Sequence, residues 1–121
     1  MEYYIEVDVE RVYRKFGGDY EGVMARIGNP MLLARLFEKF MEDKSFESLK
    51  AALADGDCES AFRAAHTLKG VALNMGFSKL AASSSKLTEL LRKGTLDGSG
   101  EMFEPVAQDY QAIVDAIGGE K

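Results

Sequence analysis

The chain holds one histidine, His66, and one cysteine, Cys58, among 121 residues. A neutral imidazole is a nucleophile near pH 7, so its neighbours decide what chemistry His66 can do. Lys69 and Gly70 follow three and four residues later, one helical turn away. An ammonium at position 69 can pair with negative charge arriving on the imidazole. A glycine inside a helix costs about 1 kcal/mol relative to alanine, and no helix end is due at position 70. What it provides is room for something large to approach the ring. An open imidazole beside a cation suits attack on a phosphorus centre, whose product would carry two negative charges. Nothing in the sequence would bind a nucleotide or the metal that phosphoryl transfer usually needs. The donor and its metal must come from a partner.

Other chemistries lack their parts. No Ser-His-Asp order, Walker loop or dinucleotide fingerprint occurs. A zinc site would need carboxylates to complete its shell, and a lone cysteine forms no internal disulfide. The net charge is −5, and lysines and arginines are scattered rather than clustered, which argues against a nucleic-acid footprint. No apolar run approaches the roughly 18 residues of a membrane span, and the start, Met1-Glu2-Tyr3-Tyr4, has no basic or apolar leader pattern. A cytoplasmic protein is the expectation.

A helical wheel positions the histidine. With His66 at zero and about 100° per residue, Ala64, Met75, Leu68, Ala61 and Ala72 span roughly 160–240°. These apolar positions define a buried face, and His66 points away from it. Around the histidine lie Phe62, Leu73, Glu59, Gly70, Arg63 and Lys69, all within about 60°. Two large apolar side chains flanking an exposed histidine suggest a docking surface. The plainer alternative is that neighbouring segments, such as residues 1–28, cover Phe62 and Leu73.

The elements that carry this helix follow from periodicity and punctuation. Hydrophobic residues make up 46% of the chain and recur at three- and four-residue spacing almost throughout, which predicts an all-α domain. Asp8 caps a helix to Phe16, ended by Gly17-Gly18, and Asp19 caps a second that stops at Gly28-Asn29. Pro30 opens a segment striped by Leu33, Leu36, Phe37 and Phe40. Phe46, Leu49 and Leu53 fall nearly opposite that stripe, so a break is expected near Asp43-Lys44-Ser45, with Ser45 capping a short helix to about Ala54. Asp55-Gly56 closes it, and Asp57 caps the histidine helix, which runs to about Met75. Ser78 caps the next helix, down to Gly94. After a loop from Thr95 to Gly100, a last helix starts near Glu104, and Gly118 to Lys121 should fray. Short loops favour antiparallel neighbours. The expected fold is an antiparallel up-and-down four-helix bundle over 29–118, a helical cap over 1–28 and a tail over 119–121.

The run Ala64-Ala65-His66-Thr67-Leu68-Lys69-Gly70 resembles the signature of the histidine-containing phosphotransfer family, an HxLKG box on a helix. Asp55-Gly56-Asp57 before it and Asn74-Met75-Gly76 after it are also typical. The likeness runs from about Pro30 to Gly94, with a weaker last helix. It implies a phosphocarrier, not an autonomous enzyme. His66 would take a phosphoryl group from an aspartyl-phosphate on a response-regulator receiver domain or hybrid kinase, or return it. Lys69 would stabilise phosphohistidine, and Gly70 would clear space for the receiver. Mg²⁺ would come from the receiver's acidic pocket, and the chain would hold no cofactor and act as a monomer. Phe62, Arg63, Leu73 and Asn74 are the expected docking residues, joined by Thr88 from the next helix. Many family members carry a glutamine at the position of Thr88, and many continue through the break near Asp43 as one helix. The competing readings are a phosphoacceptor fragment of a chemotaxis-type or hybrid kinase, and a helical adaptor in which His66 is incidental.

Overall fold

The computed structural model describes residues 8–119, and these form seven α-helices with no strand. They are α1 (Val9–Phe16), α2 (Tyr20–Ile27), α3 (Pro30–Glu42), α4 (Ser45–Ala54), α5 (Cys58–Asn74), α6 (Ser78–Arg92) and α7 (Ser99–Gly118). Side chains cap four of them. Asp8, Asp19 and Asp57 each accept the backbone N–H three residues on, and Asn29 accepts those of Met31 and Leu32 ahead of Pro30. Each carboxylate satisfies a donor the first helical turn leaves orphaned. At Asp57, hydrogen bonds from the Ser60 hydroxyl and N–H hold the carboxyl below its ordinary range.

The helices form a bundle. α5 packs between α4 and α6, α6 between α5 and α7, and α1 lies along α7. The face of α5 turned inward is built from Ala61, Ala64, Ala65, Leu68 and Ala72, all buried. Opposite it, α6 buries Ala81, Ser84 and Thr88. Small side chains on both helices allow close approach, and the α6 hydroxyls are satisfied within their own helix. Thr88 Oγ1 donates to the Ser84 carbonyl at 2.6 Å, and Ser84 Oγ to that of Leu80. A single hydrophobic cluster runs from Val9 on α1 to Ile117 on α7, so α1 and α2 share the core of the bundle.

The break between α3 and α4 has a visible purpose. Asp43 ends α3 in an extended conformation (φ −67°, ψ 135°). The turn lets Phe40 and Phe46 reach the same ring on α7, Tyr110, at centroid distances of 5.6 and 4.0 Å. A continuous helix would aim them about 120° apart.

Four boundaries depart from the sequence expectation. Ser45 is the first residue of α4 and not its cap. Lys44 stands at the cap position without a side-chain cap bond, and the Asp43 carboxylate before it accepts the Ser45 N–H at 2.8 Å. Ser78 likewise lies inside α6, with Phe77 at the cap position and no side-chain bond. A fully buried Phe77 sets that helix start by packing, its ring against Phe40 at 5.0 Å and Phe16 at 5.2 Å. α7 begins at Ser99 rather than Glu104 and carries Pro105 in its interior. Proline favours a first turn, but stacking of Phe103 on Phe46 at 5.6 Å anchors the turn before it. Gly118 belongs to α7 and Gly119 caps it, donating to the Asp115 carbonyl at 3.0 Å. The rest of the tail expected to fray, 120–121, lies outside the described residues, as do residues 1–7.

Candidate functional site

His66 sits near the middle of α5, on the side opposite the alanine face, and is exposed. One turn earlier, the Phe62 ring lies nearly parallel to the imidazole, at 6.0 Å between centroids and 10° between planes. Phe62 is partly buried, and what covers it is Arg92 of α6, whose guanidinium carbon stands 5.0 Å from the ring centroid. The order is guanidinium, phenyl, imidazole, and contacts of this kind contribute about 0.5–1 kcal/mol each at exposed sites. Arg92 also pairs with Glu89 at 3.2 Å, and Arg63 pairs with Glu59. Beside Phe62, a groove of about 500 Å³ is lined by Cys58, Glu59, Leu91 and Arg92.

On the other side of His66 lie Lys69 and Gly70. Lys69 is partly exposed and forms no ion pair among the described residues. A Cβ built on Gly70 would meet nothing within 4 Å. Helix packing therefore does not require glycine there. Further along the same face, Leu73 is 58% exposed, the largest value among the exposed apolar side chains. The reading in which neighbouring segments cover Phe62 and Leu73 fails for Leu73, which stays exposed, while Arg92 of α6 lies over the partly buried Phe62. Asn74 is exposed, and its carbonyl accepts a bond from Arg26 of α2 at 2.8 Å.

Phe62, Arg63, His66, Lys69, Gly70, Leu73 and Asn74 thus share one side of α5. Thr88 does not join them. It is fully buried, with its hydroxyl bonded to its own helix, so its assignment to the docking surface is corrected. α6 reaches the site through Arg92, one turn later and on the outer side. Sequence reasoning missed Arg92 and Arg26 because both contacts bridge different helices. No local spacing signals a bond between residues 47 or 48 positions apart.

Among the described residues, no group of three His, Cys, Asp or Glu side chains could hold a metal ion, and no helix is long and apolar enough to cross a membrane.

The family model of the Hpt domain matches residues 32–117. The chain belongs to the Hpt domain family. That match takes in α7, the last helix, where the likeness read from the sequence is weaker. It leaves out α1 and α2. Hpt domains are phosphocarriers of two-component phosphorelays and work with receiver domains and kinases. None of the curated proteins and none of the solved structures compared matches the chain.

Proposed function

We propose that this Hpt domain carries a phosphoryl group on His66, taking it from an aspartyl-phosphate of a receiver domain and passing it on or back. An imidazole nitrogen of His66 attacks phosphorus, forming an N–P bond. The acyl O–P bond breaks, and the receiver aspartate leaves as a free carboxylate. With a proton on the second ring nitrogen the phosphorylated ring is formally cationic, loss of that proton leaves it neutral, and in both forms the phosphoryl oxygens carry the negative charge. Lys69 offsets that charge, and Gly70 leaves the path to the ring open. Mg²⁺ belongs to the receiver pocket.

One observation carries the reading. The sole histidine of the chain stands exposed between a lysine unpaired among the described residues, an unobstructed glycine and a parallel phenyl ring. An incidental surface histidine would have no need of a helix-weakening glycine one turn away.

In the same reading, α3 and α4 are two halves of one bent helix. With α5, α6 and α7 they make an up-and-down antiparallel four-helix bundle, in keeping with the short connections. The chain acts in the cytoplasm as a monomer, presenting one face to successive partners.

The test is transfer from a receiver phosphorylated in vitro. The wild-type chain gains phosphate that is acid-labile and alkali-stable, and His66→Gln gains none. Equal labelling of His66→Gln sinks the proposal.

A further inference from the structure

The end of the histidine helix is held by the two helices that precede the family-matched region. The last carbonyls of a helix have no intrahelical partner, and at α5 each has a definite one. The Ala72 carbonyl accepts the Phe77 N–H at 2.9 Å. The Leu73 and Asn74 carbonyls accept the Arg26 guanidinium at 3.4 and 2.8 Å. The Met75 carbonyl accepts the buried Tyr13 hydroxyl, and that of Gly76 accepts the Asp19 N–H at 2.9 Å. The packing is tight. A Cβ at Gly76 would stand 3.0 Å from the Asp19 carbonyl oxygen and 3.2 Å from Val23.

Arg26 differs from the other groups in this set. Tyr13 is buried, whereas Arg26 is exposed. Among the described residues its guanidinium forms no ion pair, and it lies at the carbonyls of Leu73 and Asn74, at the C-terminal end of the helix that carries His66. Leu73 is seven residues from His66, about 10 Å along the helix. A small protein–protein interface covers about 600 Å² of each partner, a disc about 14 Å in radius. A partner centred on His66 therefore covers Leu73 and reaches the guanidinium beside it. Charge then says what kind of partner surface fits. Arg63 and Arg92 are each neutralised by a glutamate of their own helix, while Lys69 and Arg26 are not. A protein of net charge −5 thus offers two cations unpaired among the described residues, with exposed Leu73 between them.

We propose that Arg26 is a docking residue for the receiver, a cation contributed by α2 that pairs with a carboxylate on the receiver surface two helical turns from His66. The inference rests on the phosphotransfer reading and names a specificity determinant within it. Arg26 is fixed in place by the α5 carbonyls, so little side-chain freedom is lost when a carboxylate binds its open edge. The pair lies at the rim of the interface, so it acts on encounter and affinity rather than on chemistry at phosphorus.

The chain of residues 1–121 is tested with receiver domains phosphorylated by acetyl phosphate, using the one that labels wild type fastest. Phosphotransfer is followed as a function of acceptor concentration for wild type, Arg26→Glu, Arg26→Lys and Lys86→Glu. Lys86 is an exposed lysine on the α6–α7 side, so its reversal matches the charge change away from the face. KM rises about five- to tenfold for Arg26→Glu, the scale of a significant interface contact. The maximal rate stays within about twofold, Arg26→Lys is partly restored and Lys86→Glu is unchanged. The Arg26→Glu effect also shrinks as salt rises. An unchanged KM for Arg26→Glu, or an equal rise for Lys86→Glu, overturns the assignment while transfer to His66 stands. A wild-type chain that accepts phosphate from no receiver removes the phosphotransfer reading, and this inference with it.

Discussion

At the scale of single residues, Gly70 separates the demands of folding from those of function. Its Cβ position is empty space within the chain, and alanine is the better helix former by about 1 kcal/mol. Gly70→Ala should therefore raise unfolding stability by about 1 kcal/mol, read by urea titration. It should also slow transfer from a receiver on the order of ten- to a hundredfold, the scale of a misplacement near 1 Å. A variant both more stable and fully active would mean that the space at position 70 serves no partner. His66, Lys69 and Gly70 were legible in the sequence because all three lie within one turn of one helix, where spacing fixes geometry. Thr88 was misplaced because counting along a second helix does not say which way a side chain turns. Its hydroxyl bonds to Ser84 and its methyl lies in the core. Arg92 was missed for the same reason. Its contact with Phe62 depends on the register between α5 and α6.

At the scale of elements, the C-terminus of α5 depends on α1 and α2. The buried Tyr13 hydroxyl donates to the Met75 carbonyl, and its ring lies 5.3–6.1 Å from those of Phe16, Tyr20, Phe37 and Phe77. Tyr13→Phe keeps the ring and orphans the carbonyl, at a cost of about 1–3 kcal/mol in thermal or urea unfolding. Burial raises the Tyr13 hydroxyl above its ordinary value of 10.0. The folded chain thus holds this proton more tightly than the unfolded chain. The associated stability is complete below pH 10 and declines as pH rises above it. Wild type should lose stability in that alkaline window, and Tyr13→Phe should lose less. Equal slopes for the two proteins would contradict this account of the phenol. Helix starts set by Asp8, Asp19 and Asp57 were readable because a side chain makes the cap locally. Those of α6 and α7 were not, because buried Phe77 and stacked Phe103 set them through contacts with distant helices.

At the scale of the whole molecule, α1 and α2 lie outside the family match yet inside the core. Val9, Val12, Tyr13 and Phe16 of α1 are all buried. At about 1.5–3 kcal/mol for each buried side chain, their loss rivals the 5–15 kcal/mol typical of an entire domain. Deleting residues 1–28 should abolish the cooperative thermal transition, followed by near-ultraviolet circular dichroism. A truncated chain that melts like the full chain would show the two helices to be dispensable. The all-helical class was evident from periodicity alone, but how the first two helices fold back on α5 was not. That arrangement rests on bonds between residues more than fifty positions apart, such as Tyr13 with Met75. The central claim is that this assembly presents His66 as the phosphoryl acceptor. Its most direct test is to map the modified residue. The chain is incubated with a phosphorylated receiver, digested at alkaline pH and examined by mass spectrometry. The account predicts one phosphoryl group, on the peptide containing His66 and assigned to that residue. Phosphate on any other side chain, or none in a chain that binds the receiver, would contradict it.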